Sequence, residues 1–260
     1  MKFSSEFSFS VIFVNSMNDE KNNFISFSLW GDKPIYTKGA VQNTLLAKRI
    51  YPGWKVIMYY DQTVPDGIID RLRELGVILI DMSSSGIYAL FWRFLAADLP
   101  DCNYAIFRDT DSRLSKRERL AVDEWLKNGD AIHIMRDHPF HEVPFGTEGL
   151  SILGGMWGIK GGAVPITALI KDFIATNKDQ YGVDQNFLKY IYLKFETSKT
   201  VHDEFFEKKP FPIRRKGYRF IGERMTEEGK PLSEDWIHIK NHYRNVRSHW
   251  FKKLGKLFSK

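Results

Sequence analysis

Tyr104-Ala105-Ile106-Phe107-Arg108-Asp109-Thr110-Asp111 decides how the chain is read. Tyr104 to Arg108 has the length and apolar character of a buried strand, and two carboxylates follow it at alternate positions. The turn beyond a strand can bring Asp109 and Asp111 towards one hard cation, and carboxylate oxygens suit Mg²⁺ or Mn²⁺. Such an ion would bridge to a substrate diphosphate and offset the charge that develops as the diphosphate leaves. A bare Asp-x-Asp is also common as a solvated turn, so its surroundings decide.

Outward from this strand the chain alternates. A possible strand at Ser8 to Val14 and the polar stretch Asn15 to Asn23 precede a buried strand at Phe24 to Trp30. After the loop Gly31-Asp32-Lys33-Pro34, Val41, Leu45, Leu46 and Ile50 mark a helix over Gly39 to Ile50, broken by Pro52-Gly53. Strand Lys55 to Tyr60, helix Asp66 to Leu75, strand Val77 to Asp81 and helix Tyr88 to Leu99 then lead to the Tyr104 strand. Downstream the pattern predicts a helix over Lys116 to Asn128, a strand at Ala131 to Met135 and a long loop from Arg136 to Leu150. A strand near Ile152 to Ile159 and helices at Pro165 to Ala175 and Asp184 to Tyr192 complete it.

This order predicts a Rossmann-like α/β domain, a mostly parallel sheet with helices on both faces. Ligands of such sheets bind beyond the carboxyl ends of the strands, so the loops after Trp30, Tyr60, Asp81 and Arg108 line one cleft. Asp109 and Asp111 fall there. No repeat or linker divides the chain, which reads as one domain over residues 1–243 with a basic amphipathic tail at 244–260.

A chain of 260 residues, 43% hydrophobic and 15% aromatic, can bury one sizeable core. No apolar run approaches the roughly 18 residues of a membrane span, and the start lacks a basic region followed by an apolar one, so a soluble, unsecreted, cytoplasmic protein is expected. Cys102, the single cysteine, excludes an intrachain disulfide and any multi-cysteine metal site. The formal charge of +6 suits an acidic partner, but Arg244, Arg247, Lys252, Lys253, Lys256 and Lys260 carry much of the excess. The remainder is nearer neutral, and no nucleic-acid partner is expected. In the tail, Trp250, Phe251, Leu254, Leu257 and Phe258 lie on one side of a helix with lysines opposite. That pattern fits peripheral contact with a membrane surface, or a terminal helix docked on the body.

Phe91-Trp92-Arg93-Phe94-Leu95, Asp98-Leu99-Pro100 and the Tyr104 to Asp111 block together resemble the helix, strand and Asp-x-Asp block of GT-A glycosyltransferases, notably glycosyltransferase family 8. Two later blocks extend the resemblance over roughly residues 24 to 225. It implies that Arg93, Asp109 and Thr110 lie at the donor nucleotide; for Arg93 the alternative is a surface salt bridge. Leu153-Gly154-Gly155-Met156-Trp157-Gly158 stands where the family has an Asn-Ala-Gly loop beside the donor sugar, with Leu153 in place of the asparagine. Gly154 and Gly155 permit close backbone approach to a ligand, or merely a tight strand turn. Asp184-Gln185 matches the Asp-Gln pair that the resemblance places beside the anomeric carbon and the acceptor. As a helix start, Asp184 also suits an N-cap. The family's third metal ligand is a late histidine followed by a Gly and Lys-Pro-Trp signature, which is absent here. His202, in Val201-His202-Asp203, is the candidate equivalent and His238 the spare.

Other residues are candidates on their own chemistry. Arg136-Asp137-His138-Pro139 could hold a sugar hydroxyl or a phosphate, or form a buried ion pair that orders the loop after it. Loop 138–150, with His141, Phe145, Gly146 and Gly149, has the make-up of a lid or acceptor platform. Arg214-Arg215-Lys216 is a solvated basic turn or a contact to the donor diphosphate. Trp30, Tyr36, Tyr59 and Tyr60 are strand-end aromatics that could stack a base or simply fill core; Trp30, Tyr60 and its neighbour Asp61 are kept as donor-binding candidates.

The function expected from these features is metal-dependent transfer of a glycosyl group from a nucleoside diphosphate sugar, UDP-linked by the family resemblance, to a saccharide or other hydroxyl acceptor. The resemblance implies retention of configuration; inversion would require a carboxylate base, for which Asp184 or Asp137 could serve. One rival is a haloacid-dehalogenase-type phosphatase, whose Asp-x-Asp normally ends the first strand of the sheet and carries Thr or Val where Arg113 stands here. The other is a non-catalytic module that binds anionic polymers or lipid through the basic tail.

Overall fold

The computed structural model describes residues 21–141, 152–180 and 182–246. Seven strands form one sheet: β1 (Asn22–Leu29), β2 (Lys55–Tyr60), β3 (Ile78–Asp81), β4 (Cys102–Arg108), β5 (Ile132–Arg136), β6 (Trp157–Lys160) and β7 (Lys199–Asp203). Their spatial order is β3-β2-β1-β4-β6-β5-β7, and only β6 runs against its neighbours. The expected α/β architecture is therefore the observed one.

Alternation along the strands produces two cores. Ile25, Phe27 and Leu29 of β1, with Val56, Met58 and Ile106, face α1 (Pro34–Ile50), α2 (Asp66–Glu74) and α4 (Lys116–Asn128). Phe24, Ile57, Tyr59, Ala105, Phe107, Ile132, Ile134 and Trp157 face the opposite layer, made of α3 (Ala89–Trp92), a 3-10 segment (Arg93–Asp98), α5 (Ile166–Ile174) and α6 (Val183–Lys194). Helices thus cover both faces, as parallel strands require.

Local chemistry sets the boundaries. α4 begins at Ser115, whose hydroxyl accepts from the Glu118 N–H (3.2 Å), and ends at Gly129, which takes the left-handed conformation at φ 75°. Arg108 at the end of β4 ties this helix to the sheet: its Nε donates to Glu118 (2.6 Å) and its Nη1 to the Trp157 carbonyl (2.9 Å). The helix expected from Gly39 starts earlier, with Pro34 at its first position, where a missing N–H costs nothing. The single helix expected over Tyr88 to Leu99 is instead a short α-turn running into the 3-10 segment. Residues 236–246 are also helical. The Ser8 to Val14 strand, most of loop 138–150 and all but the start of the 244–260 tail lie outside the described residues. No helix among the described residues is long and apolar enough to cross a membrane.

Candidate active site

Asp109 is the first residue past β4, so it stands at the carboxyl edge of the parallel strands, beside β1. The turn that follows is clamped by α1. Buried Asn43 donates to the Ser112 carbonyl (2.9 Å) and accepts from the Leu114 N–H (3.1 Å), while the Ser112 hydroxyl donates to the Asp109 carbonyl (3.1 Å). Gly39 lies against the Thr110 carbonyl so closely that a Cβ there would overlap it. Thr110, expected at the donor, is buried in this clamp and presents its carbonyl to Asn43 and Arg113.

Arg93 approaches from the opposite layer. Ser26 and Ser28 of β1 fix its backbone: the Ser26 hydroxyl donates to the Arg93 carbonyl (2.7 Å), and the Arg93 N–H donates to the Ser28 hydroxyl (3.0 Å). Its guanidinium is buried, pairs with Asp109 and lies 3.3 Å from the Asp184 carboxylate at the start of α6. Burial alone would lower its pKa; Asp109 and Asp184 outweigh that and hold it above the ordinary value. Arg93 is thus no surface salt bridge.

The glycine turn runs between these carboxylates. A Cβ on Gly154 would overlap Asp184 and Arg93, and one on Gly155 would overlap the Asp109 carboxylate. Gln185 holds the turn, its amide donating to the Ile152 carbonyl (2.7 Å) and accepting from the Gly154 N–H (3.0 Å). Asp184 stands in the first turn of α6, one residue inside the helix start, and Gly182 occupies the cap position. Burial pushes its carboxyl up, against the pull of Arg93. Burial, then the neighbouring Asp109 charge, push Asp111 up to about 6.

Four blocks distant in sequence therefore meet: Arg93, Asp109 to Asp111, Gly154-Gly155 and Asp184-Gln185. Trp30, just past the end of β1, is 42% exposed and edge-on at 6.3 Å to Trp92, which precedes Arg93 in the chain.

Other expected residues go elsewhere. His202 is buried on β7, three strands from β4, a separation of roughly 14 Å at the usual strand spacing. Its Nδ1 lies 2.9 Å from Nε2 of His133 and its Nε2 lies 3.6 Å from Glu124, so it is engaged on the α4 face and not at the Asp pair. His238 packs on Phe140 and His138. Among the described residues, no group of three His, Cys, Asp or Glu side chains is placed to share an ion. Arg136 and Asp137 are both fully buried in ion pairs: Arg136 with Asp203 (2.7 Å) and Glu207, Asp137 with Arg117 (3.0 Å) and Arg215 (2.7 Å). Arg215 belongs to this hub, so it does not form a solvated basic turn. Asp61 turns its carboxylate to the N–H and hydroxyl of Thr63, and half-buried Tyr60 packs into the α1–α2 core.

The clamp residues Gly39 and Asn43, and the anchors Ser26 and Ser28, were not expected. Small polar residues in a buried strand are the one signal that marked the serines.

No family model matches the chain, and no curated protein matches it in sequence. Among solved structures it is similar to a 4-diphosphocytidyl-2C-methyl-D-erythritol synthase from Anaerococcus prevotii DSM 20548, at TM-score 0.48 and 11% identity over 76% of this chain and 94% of that one. It is also similar to a glycosyltransferase involved in the glycosylation of the major capsid of PBCV-1, at TM-score 0.40 and 13% identity over 70% of this chain and 82% of that one. Likeness at this level concerns the α/β architecture alone.

Proposed function

We propose that the protein is a nucleotide-sugar-dependent glycosyltransferase whose donor diphosphate is held over Asp109 and Asp111. The observation that carries this is the meeting of Arg93, Asp109, Gly155 and Asp184 at the carboxyl edge of the sheet, where such sheets bind ligands. Two carboxylates fit the way Mg²⁺ or Mn²⁺ is held when substrate phosphates and water complete the oxygen shell. Burial and then the Asp109 charge push Asp111 up to about 6, and a bound cation would offset both. A bound divalent ion would stabilise the diphosphate as it departs.

The chain's own residues then divide the work. Arg93 fixes Asp109 and Asp184 in one arrangement prepared before substrate arrives, so no reorganisation is needed during reaction. Gly154 and Gly155 keep side-chain bulk out of the space between the carboxylates. Asp184, buried beside Arg93, is the carboxylate available near the reacting carbon, while Gln185 holds the glycine turn in place. Trp30 offers an exposed aromatic face to the donor. The acceptor is a saccharide or another hydroxyl-bearing molecule.

The phosphatase alternative would place its Asp-x-Asp at the end of the first strand of the sheet, whereas Asp109 follows β4, the fourth strand along the chain.

Calorimetric titration of UDP and GDP, with Mn²⁺ or with chelator, tests the proposal on the wild type, Asp109→Ala and Asp111→Ala. Binding that requires both the metal and the carboxylates is expected. Absence of binding by either diphosphate in the presence of metal would overturn the donor site. Hydrolysis of a generic phosphate ester, abolished in Asp109→Asn, would favour the phosphatase.

A further inference from the structure

The chain between Phe220 and Leu232 borders the site at two points. Gly222 adopts φ 82°, and a Cβ there would meet the Met156 sulfur at 2.7 Å, so the segment packs on the residue that follows Gly154-Gly155. Three residues on, the Met225 N–H donates to the Asp111 carbonyl (2.9 Å). Arg224 lies between these contacts. Its side chain is 54% exposed and is steadied by Asp235 through Nε (3.3 Å) and Nη2 (3.0 Å), with Glu234 at 3.9 Å from Nη2. Among the described residues these contacts use Nε and Nη2, leaving Nη1 for a ligand.

We infer that Arg224 binds the donor diphosphate, as a guanidinium that the C-terminal segment brings to the carboxylate pair. This rests on the donor reading above and deepens it. Two carboxylates repel a diphosphate on their own, and Arg93, the cation already at the site, is buried and committed to Asp109 and Asp184. A planar guanidinium with free N–H groups at the rim matches phosphate oxygens in both charge and geometry. Asp137 positions it at second hand: its carboxylate accepts from the Ile221 N–H (3.0 Å), pinning the segment that leads into Arg224.

The test is calorimetric titration of inorganic pyrophosphate with Mg²⁺, a probe with neither base nor sugar, into wild type, Arg224→Ala, Arg224→Lys and Lys230→Ala. Arg224→Ala is expected to bind roughly 10- to 100-fold more weakly, the loss of one or two charge-assisted hydrogen bonds. Arg224→Lys, which keeps the charge and its pairing with Asp235 but loses the fork, should fall between; Lys230→Ala, an exposed lysine of the same segment, should match wild type. Arg224→Ala binding within about twofold of wild type would overturn the inference while leaving the donor site standing. An equal loss in Lys230→Ala would also overturn it, because a diffuse basic field would then be responsible. Wild type that fails to bind pyrophosphate would sink the donor reading and this inference together.

Discussion

A methyl group added at residue 155 would occupy space now filled by the Asp109 carboxylate. Gly155→Ala should therefore displace Asp109 while leaving the core intact, costing about 1–3 kcal/mol in a urea melt. Metal-dependent UDP binding, followed by calorimetry, should weaken by an order of magnitude or more. Arg93 presents the opposite case, since its removal leaves Asp184 buried and without a counter-ion. Arg93→Ala should destabilise the fold by about 3–5 kcal/mol, the usual result of breaking a buried pair from one side, and thermal or urea unfolding measures it. At this scale the site was partly legible in the sequence. Arg93, the Asp pair, the glycines and Asp184-Gln185 stand in recognisable blocks, whereas Ser26, Ser28, Gly39 and Asn43 belong to no motif. Their roles depend on which backbone carbonyl another element happens to present to them, and that is invisible until the chain is folded.

Elements carry these residues, and the Asp137 hub shows how. A single fully buried carboxylate receives Arg117 from α4, Arg215 and the Ile221 N–H, so it fastens the C-terminal segment to the end of β5. Asp137→Asn should lower stability by about 3–5 kcal/mol by leaving two guanidinium groups under-neutralised. Limited proteolysis should find cleavage within residues 204–221 faster than in wild type. Where an element carries its own signals, sequence and structure agree: α4 has its serine cap and terminal glycine, and β2 runs from Lys55 to Tyr60 as expected. They diverge where tertiary contact overrides local preference. The helix expected to start at Gly39 starts at Pro34, and Gly39 falls inside it, where only a residue without a side chain lets α1 approach Thr110. Arg136 and Asp137 have the composition of a binding pair; burial at the sheet's end makes them structural. His202 lies on the edge strand β7, and strand order, which periodicity does not encode, puts it three strands from the Asp pair.

Over the whole molecule, buried histidines couple the fold to pH. Burial, followed by its neighbours His202 and Arg108, holds His133 well below the ordinary histidine value, and burial lowers His202 as well. Both are neutral in the native state, whereas in the unfolded chain they protonate near pH 6.5. The unfolded state then binds more protons, so the stability they contribute is complete above about 6.5 and declines as pH falls towards their native values. Asp111, raised to about 6, acts in the reverse sense, since its native carboxyl takes up a proton before the unfolded one does. Comparing urea midpoints at about pH 7.5 and 5.5 in wild type and His133→Gln separates the two, because Asp111 titrates in both proteins. The variant should show the smaller acid loss.

The reversed strand β6 has an effect on where change can be tolerated. Every other strand ends at the edge that bears Asp109, but β6 begins there, so the residues entering it, Gly154 and Gly155, touch the carboxylates directly. The residues leaving it, Lys160 and Gly161, lie a strand length away, on the order of 13 Å. One short strand therefore has an end at the carboxylates and an end remote from them. A charge placed before Trp157 should be felt by the Asp pair, whereas a tag or label attached near Lys160 should leave diphosphate binding unaltered, which makes that edge the practical place to immobilise the protein.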